Sequence, residues 1–276
     1  MNKASYQNLG LIITNKCNLN CEHCCRGCKN NKDMSKEVID TVLSQIAIVG
    51  NLAICGGEAT LALPTLNYIV DYIINNKIIV DELTLTINGT IYSTELLDIL
   101  TKMNNYIKRY SKTDTSLANF TISSDLYHTK EMARLGIVND YIKNIKRYSE
   151  SIHFYGLQVL KKNLKLYREG NACNLNKKLT IPLRPMEYYV TYASNNGKFD
   201  MKNGLCNIGP LVTINTAGIV TEADSSLENQ KSIYNYGNIF EDSLEEIVLR
   251  KAKILEPKKW YKACCNESIK YKKYNK

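Results

Sequence analysis

The sequence predicts an α/β protein built on a parallel sheet, and three observations carry that prediction. From about residue 9 to about residue 190, short apolar runs alternate with longer segments of helical periodicity. That is the pattern of βα units, whose strands lie parallel. Two segments rich in chemistry, Cys17–Cys24 and Gly56–Glu58, each begin where an apolar run stops. Past residue 190 the alternation gives way to hairpin signals, which predicts a small α+β extension over residues 191–276.

The elements follow in order. Leu9–Thr14 reads as a buried first strand, and Ser35 can cap a helix carrying Val38, Ile39, Val42, Leu43 and Ile46 at helical spacing. Leu52–Cys55 is the second strand and ends in Gly56-Gly57. Leu66, Ile69, Val70, Ile73 and Ile74 mark the next helix, with Thr60 and Pro64 at its start. Leu83–Ile87 alternates as a third strand, Asn88-Gly89 turns out of it, and a helix is expected over Thr94–Tyr106. Phe120–Ser124 is the fourth strand, and further candidates bring the count to about six right-handed units. Beyond them, Tyr189–Tyr192, a turn at Asn195–Gly197, and Leu211–Asn215 joined to Ile219-Val220 across Ala217-Gly218 read as hairpins. A helix from Ser243 to about Lys253 follows.

With 276 residues and 44% hydrophobic content, the chain can bury a sizeable core. Its apolar runs fall short of the eighteen or so residues a membrane span needs, and Met1–Asn8 lacks the apolar centre of a signal peptide. The expectation is a cytosolic protein with no membrane partner. Ten cysteines agree, because reducing compartments direct cysteine-rich stretches toward metals rather than bridges. The net charge of +9 is spread over scattered lysines. The one dense basic stretch, Lys270–Lys276, reads as a solvated end, so nucleic acid is not expected as a partner.

The most specific feature is Cys17, Cys21 and Cys24, spaced C-x₃-C-x₂-C. Three thiolates in one loop can hold three irons of a four-iron cluster and leave the fourth open. Clusters that only carry electrons have all their irons tied by protein ligands, whereas catalytic metal sites keep a position free. Zinc ribbons pair two C-x₂-C-like units across a gap, and no second unit follows here. Each of Cys17→Ala, Cys21→Ala and Cys24→Ala is expected to abolish cluster assembly. Gly56 and Gly57 permit close backbone approach or positive φ, and the Glu58 carboxylate can accept from an ammonium group.

The segment Cys17-Asn-Leu-Asn-Cys21-Glu-His-Cys24 resembles the signature loop of radical S-adenosylmethionine (radical SAM) enzymes, and Gly56-Gly57-Glu58 resembles their GGE segment. The resemblance implies a partial (β/α)₆ barrel over residues 1–190, a [4Fe–4S] cluster on Cys17, Cys21 and Cys24, and SAM on the open iron. It also implies that an electron, delivered by a reductant such as flavodoxin or ferredoxin, breaks the sulfonium to a 5′-deoxyadenosyl radical. His23 takes the place of the family's aromatic residue and is expected against adenine, with iron ligation as the competing role. The GGE segment is expected along the methionine moiety. Ser123 and Asp125 are candidates for the ribose hydroxyls or the SAM carboxylate, and Asn88 has a similar place at the end of strand three. Asp125 equally suits the cap of a helix starting near Tyr127. His128 could give a proton or a hydrogen bond, and Arg184 could pair with a carboxylate. Cys25 and Cys28 suit either buried packing or a labile metal, and Cys55 suits the core.

A second resemblance lies in Cys206–Gly218, Tyr236–Ile239 and Ser243–Ile247, which are similar to the SPASM/twitch extension of peptide-modifying radical SAM enzymes. There, a cysteine soon after the glycine helps to bind an auxiliary cluster; here that stretch reads Ile219–Asp224, without one. Cys206, Cys264 and Cys265, with Cys173 upstream, remain as candidates for a second cluster, against a degenerate extension that kept the fold alone. The implied substrate is a peptide or protein side chain. The alternatives are a glycyl-radical-enzyme activase, a nucleobase-type enzyme similar to the 7-carboxy-7-deazaguanine synthases, and, outside catalysis, a zinc-binding regulatory protein.

Overall fold

The computed structural model describes residues 3–27, 30–110, 117–151, 154–158, 166–168, 170–182, 187–194, 196–221 and 235–274. The expectations for Cys28, for Arg184 and for residues 222–224 lie outside them. The first half alternates β1 (Ala4–Ile12), α1 (Lys36–Leu43), β2 (Ile46–Cys55), α2 (Leu63–Asn75), β3 (Ile79–Ile87), α3 (Thr94–Tyr110) and β4 (Ala118–Ser123). Two helices, α4 (Leu126–Leu135) and α5 (Val138–Ser149), then lead to β5 (Phe154–Gln158). β1 to β5 are hydrogen-bonded in chain order, and every pairing between them is parallel. This is the α/β architecture expected. Among the described residues five strands, β1 to β5, make up this chain-order run, where about six units are expected. The next two, β6 (Leu166–Tyr167) and β7 (Thr180–Ile181), pair with each other in a separate two-stranded sheet.

The alternating apolar residues explain why these strands hold. Leu9, Leu11, Leu52, Ile54, Leu83, Leu85, Phe120 and Ile122 are all buried, and they meet Ile39, Val42, Leu66, Ile69, Ile73, Leu96 and Met103 of the covering helices in one core. Ser35 caps α1 as read, its side chain accepting from the Val38 amide. Ile46, read as part of that helix, instead opens β2. The chain turns at Ser44, whose amide caps the Asp40 carbonyl, and the apolar spacing simply coincides across the boundary. Pro64 stands in the first turn of α2, where its missing N–H costs nothing.

The residues after 187 form β8 (Tyr189–Ala193), β9 (Leu205–Gly209), β10 (Val212–Ile214), β11 (Ile219–Thr221), β12 (Asn235–Asn238), α6 (Leu244–Leu249), β13 (Lys253–Ile254) and α7 (Pro257–Tyr274). The β10–β11 hairpin turns on Gly218 at φ 76°, a left-handed conformation that suits glycine. Ser243 and Glu246 close a reciprocal capping box on α6. β9 and β10 both run parallel along the free edge of β1, β9 beside Ser5-Tyr6 and β10 beside Leu9–Leu11. The extension therefore continues the sheet. Helix α7 continues to Tyr274, into the described part of the basic stretch. Trp260 donates to the Tyr189 carbonyl (3.0 Å), while Cys264 and Glu267 are buried, an i, i+4, i+7 stripe against the protein. Among the described residues no helix is long and apolar enough to cross a membrane.

Candidate metal and cofactor site

The site is built from the carboxyl end of β1 outward. After Ile12 the chain leaves the ladder and is pinned at once to residues 32–34. The Asn15 amide donates to the Lys32 carbonyl (2.9 Å), the Thr14 hydroxyl to Asp33 (2.6 Å), and Lys16 Nζ pairs with Asp33 (2.5 Å). The Gly56–Glu58 segment, at the end of β2, is stitched to the same stretch. The Gly57 amide donates to the Thr14 carbonyl (2.8 Å) and the Glu58 amide to the Lys16 carbonyl (2.7 Å). A Cβ on Gly57 would stand 2.1 Å from the Lys16 oxygen, and one on Gly56 would stand 2.6 Å from the Thr14 oxygen. The glycines are thus demanded by the chain leading into Cys17, and neither has positive φ.

Beyond this base the cysteine loop is held by four separate parts of the fold. Leu19 is buried in the core. Asn18 accepts from Asn88 Nδ2 (2.8 Å) and donates to the Thr90 hydroxyl (2.7 Å), which fixes the loop to the turn after β3. The Asn20 amide donates to Glu131 of α4 (2.9 Å), itself held by Arg134, and Glu22 pairs with Lys130 (2.6 Å). Asn171 caps the far side, its amide donating to the Cys24 carbonyl (2.8 Å) and its side chain to the Cys21 carbonyl (3.0 Å).

Cys17 and Cys24 are half-buried, Cys21 is buried, and none of the three forms a disulfide. Burial, and then the neighbouring Cys17 and Cys24, push the Cys21 thiol up to about 12. Asp125 and Glu131 add to that push. A trio of thiolates gathered here needs positive charge to be stable, and that is the donor set an iron–sulfur core fits.

Glu58 is fully buried and has its acceptors engaged. One oxygen takes the Thr60 amide (3.1 Å) and hydroxyl (2.5 Å), and the other takes the Asn88 amide (2.6 Å). Burial raises its pKa above the usual carboxylate value, and those hydrogen bonds oppose the rise. A carboxylate has about four lone-pair directions, so one remains for a ligand. Thr60, passed over in the sequence as part of a helix start, belongs to the site.

At the end of β4, Ser123 is buried, and Asp125 caps α4 by accepting from the Tyr127 (2.9 Å) and His128 (3.0 Å) amides. Its other oxygen meets His128 Nδ1 in a short hydrogen bond. Burial pushes the Asp125 carboxyl up, but the His128 hydrogen bond and charge outweigh it and hold the pKa below its usual value. His23 stacks on Tyr127 (centroids 4.7 Å) and lies edge-on to His128 (5.0 Å). Burial lowers its pKa to about 4, so its 3.6 Å approach to Asp125 is a contact of a neutral ring rather than an ion pair.

The structure therefore gathers Cys17, Cys21, Cys24, His23, Gly56, Gly57, Glu58, Asn88, Ser123 and Asp125 at one end of the sheet, with His128 beside them. It also adds Asn18, Thr60, Thr90, Glu131 and Asn171. The C-terminal cysteines lie elsewhere. Cys206 faces Tyr192 and Glu245 on β9, while Cys264 packs on the opposite side, against Gly209. Cys265 is half-buried on α7 and Cys173 is exposed. Among the described residues these four enter no group of three side chains close enough to hold one ion.

Comparisons with known proteins place the chain. It is 26% identical over 243 residues to the uncharacterized protein MJ0907 of Methanocaldococcus jannaschii, covering 77% of this chain and 82% of that one. Among solved structures, native anSMEcpe with bound AdoMet is similar at 14% identity, covering 88% of this chain and 80% of that one, with a TM-score of 0.44. Streptococcus suis SuiB bound to precursor peptide SuiA is similar at 13% identity, covering 89% and 65%, with a TM-score of 0.42. The model of the radical SAM superfamily matches residues 11–162, more than half of the chain and the whole stretch from Cys17 to Asp125. The chain belongs to the radical SAM superfamily and is a radical SAM enzyme.

Proposed function

We propose that Cys17, Cys21 and Cys24 hold three irons of a [4Fe–4S] cluster and that SAM binds beside it between Gly56–Glu58, Asn88, Ser123, Asp125 and His23. The observation that carries this reading is the stitching of Gly57 and Glu58 to Thr14 and Lys16, the residues that lead into Cys17. It makes the thiol loop and the acidic pocket one rigid unit. When bound, the cluster and SAM supply reductive cleavage to a 5′-deoxyadenosyl radical that takes hydrogen from a substrate. The chain's own residues bind and orient. Glu58 offers its remaining lone pair to the SAM ammonium, and Asn88 and Thr60 keep that carboxylate from turning. The His23 ring, held neutral and stacked on Tyr127, presents an uncharged face to adenine. Asp125, fixed by the α4 amides, presents a negative charge to hydroxyl donors.

A peptide or protein side chain is the proposed substrate. Its support is the SPASM/twitch-like character of residues 191–276, whose described part folds as strands and two helices, with β9 and β10 along β1. In this reading residues 1–190 are the catalytic unit. The extension has kept its fold without a second cluster, in keeping with the separate surroundings of Cys206 and Cys264. Its β10–β11 turn reaches the site, since Asn15 Nδ2 donates to the Thr216 hydroxyl at 3.2 Å.

Anaerobic reconstitution tests the proposal. Iron and sulfide near four per chain are expected, with 5′-deoxyadenosine released on reduction in the presence of SAM. Protein that takes up no sulfide and retains zinc without colour would sink it. A genomically adjacent peptide bound at micromolar levels supports the substrate class. Turnover of a free nucleobase, or activation of a neighbouring glycyl-radical enzyme, would replace it.

A further inference from the structure

One cluster of metal-ligating side chains overlaps the cofactor reading at Cys21 and His23 without being explained by it. Among the described residues, Cys21, His23 and His128 form the group whose ligand atoms all lie within 4.8 Å of one another. The histidines are held in a particular way. Asp125 accepts two backbone amides through one oxygen and meets His128 Nδ1 through the other, which fixes the ring and leaves Nε2 as the nitrogen not engaged by that carboxylate. The contact of His23 with the same carboxylate is through Nε2 (3.6 Å), and its Nδ1 is buried without a hydrogen-bond partner. A buried ring nitrogen with no partner is costly and calls for an explanation. A histidine whose second nitrogen donates to a carboxylate is also the arrangement that supports metal ligation.

We propose that Cys21, His23 and His128 bind a single zinc-class divalent ion, with Asp125 as the outer group that orients the histidines. One thiolate and two imidazoles suit zinc or cobalt, and three protein ligands leave a fourth position for water. Bond lengths of about 2.0–2.3 Å put tetrahedral ligand atoms roughly 3.3–3.7 Å apart, so closure needs side-chain shifts of at most about 1.5 Å from the observed spread. The proposal goes beyond the cluster reading but shares Cys21 with it, so the two metal loads exclude each other. Zinc at this site holds the loop in its folded shape and blocks cluster assembly until it is displaced.

The test uses cobalt and zinc alone on metal-free protein under anaerobic conditions. Cys17→Ala/Cys24→Ala protein is expected to take up one cobalt per chain with thiolate-to-cobalt charge transfer of unchanged intensity. Cys21→Ala is expected to lose that absorbance. His128→Asn and His23→Phe, the latter keeping the stack on Tyr127, are each expected to weaken binding at least tenfold. Asp125→Asn is expected to weaken it about 10–100-fold, the usual effect of removing such an outer partner. Zinc-loaded wild type should take up iron more slowly than metal-free protein, and His128→Asn should remove the difference. Circular dichroism melts of each variant separate lost ligands from lost folding. Unchanged affinity in folded His128→Asn and His23→Phe would overturn the proposal. So would absence of cobalt from the Cys17→Ala/Cys24→Ala protein, which would mean that the three thiols hold the ion together. Failure of wild type to assemble a cluster, with the three-residue cobalt site intact, would instead overturn the cofactor reading alone.

Discussion

Gly57 sits where two segments of the chain cross at backbone distance, and its lack of a side chain serves the protein before any ligand arrives. Gly57→Ala puts a methyl 2.1 Å from a carbonyl oxygen that cannot rotate away, so the Thr14–Lys16 segment must move. The expected outcome is a loss of about 1–3 kcal/mol of stability, the usual range for overpacking, together with reduced iron retention. Chemical denaturation and iron assay measure the two. The cysteines differ among themselves for an equally local reason. Burial, and then the Glu245 charge, push the Cys206 thiol up to about 12, and burial followed by Cys265 does the same for Cys264. At pH 8 a thiol with that pKa is about 10⁻⁴ thiolate, and the thiolate is the reactive form. Iodoacetamide is therefore expected to modify exposed Cys173 readily and to leave Cys206 and Cys264 intact until the protein unfolds, as mass spectrometry of quenched samples would show.

At the scale of elements, the sheet and the loop respond to different substitutions. Leu85 is buried in the second half of β3, and Leu85→Ala is expected to cost about 2–5 kcal/mol as a cavity. Its effect on metal content should come only through unfolding. Glu131 lies on α4 and holds the Asn20 amide of the cysteine loop. Glu131→Ala leaves that amide without its acceptor, at a cost of about 1–3 kcal/mol. Here iron retention is expected to fall even at temperatures where the protein remains folded. A Leu85→Ala protein that stayed folded but lost iron would contradict this division, as would a Glu131→Ala protein that kept all its iron. How much of this was legible varies by element. The helical spacing of Leu66, Ile69, Val70 and Ile73 and the alternation of Leu83–Ile87 announce their elements, because burial on one face imposes a period. Ile46 misled because apolar spacing does not mark where a helix ends. Glu131 and Asn171 carry no local signal at all, since their role depends on partners 111 and 150 residues away.

At the scale of the molecule, the extension is structural to the first strand. β9 and β10 occupy the edge of β1, and buried Ile208, Val212, Ile214 and Val220 come with them. A fragment ending at residue 190 would expose that edge as an unpaired template. It is expected to aggregate or to lose cooperative unfolding, whereas the full chain is expected to melt cooperatively. A soluble, cooperatively folding 1–190 fragment would show that the edge needs no cover.

What the chain determines by itself is what spacing and residue type can carry: alternating βα units, a three-thiol loop after the first strand and an acidic Gly-Gly segment after the second. Together these identify the family. The tertiary structure decided what needs distant partners. It brought β9 and β10 onto β1, turned the glycines against the loop base, engaged Glu58 with Thr60 and Asn88, and set His23 and His128 about one carboxylate. The physical reason is common to all of these. Periodicity records which face of a local segment is buried, whereas hydrogen bonds between remote loops are defined only once the sheet has fixed the distances between its strand ends.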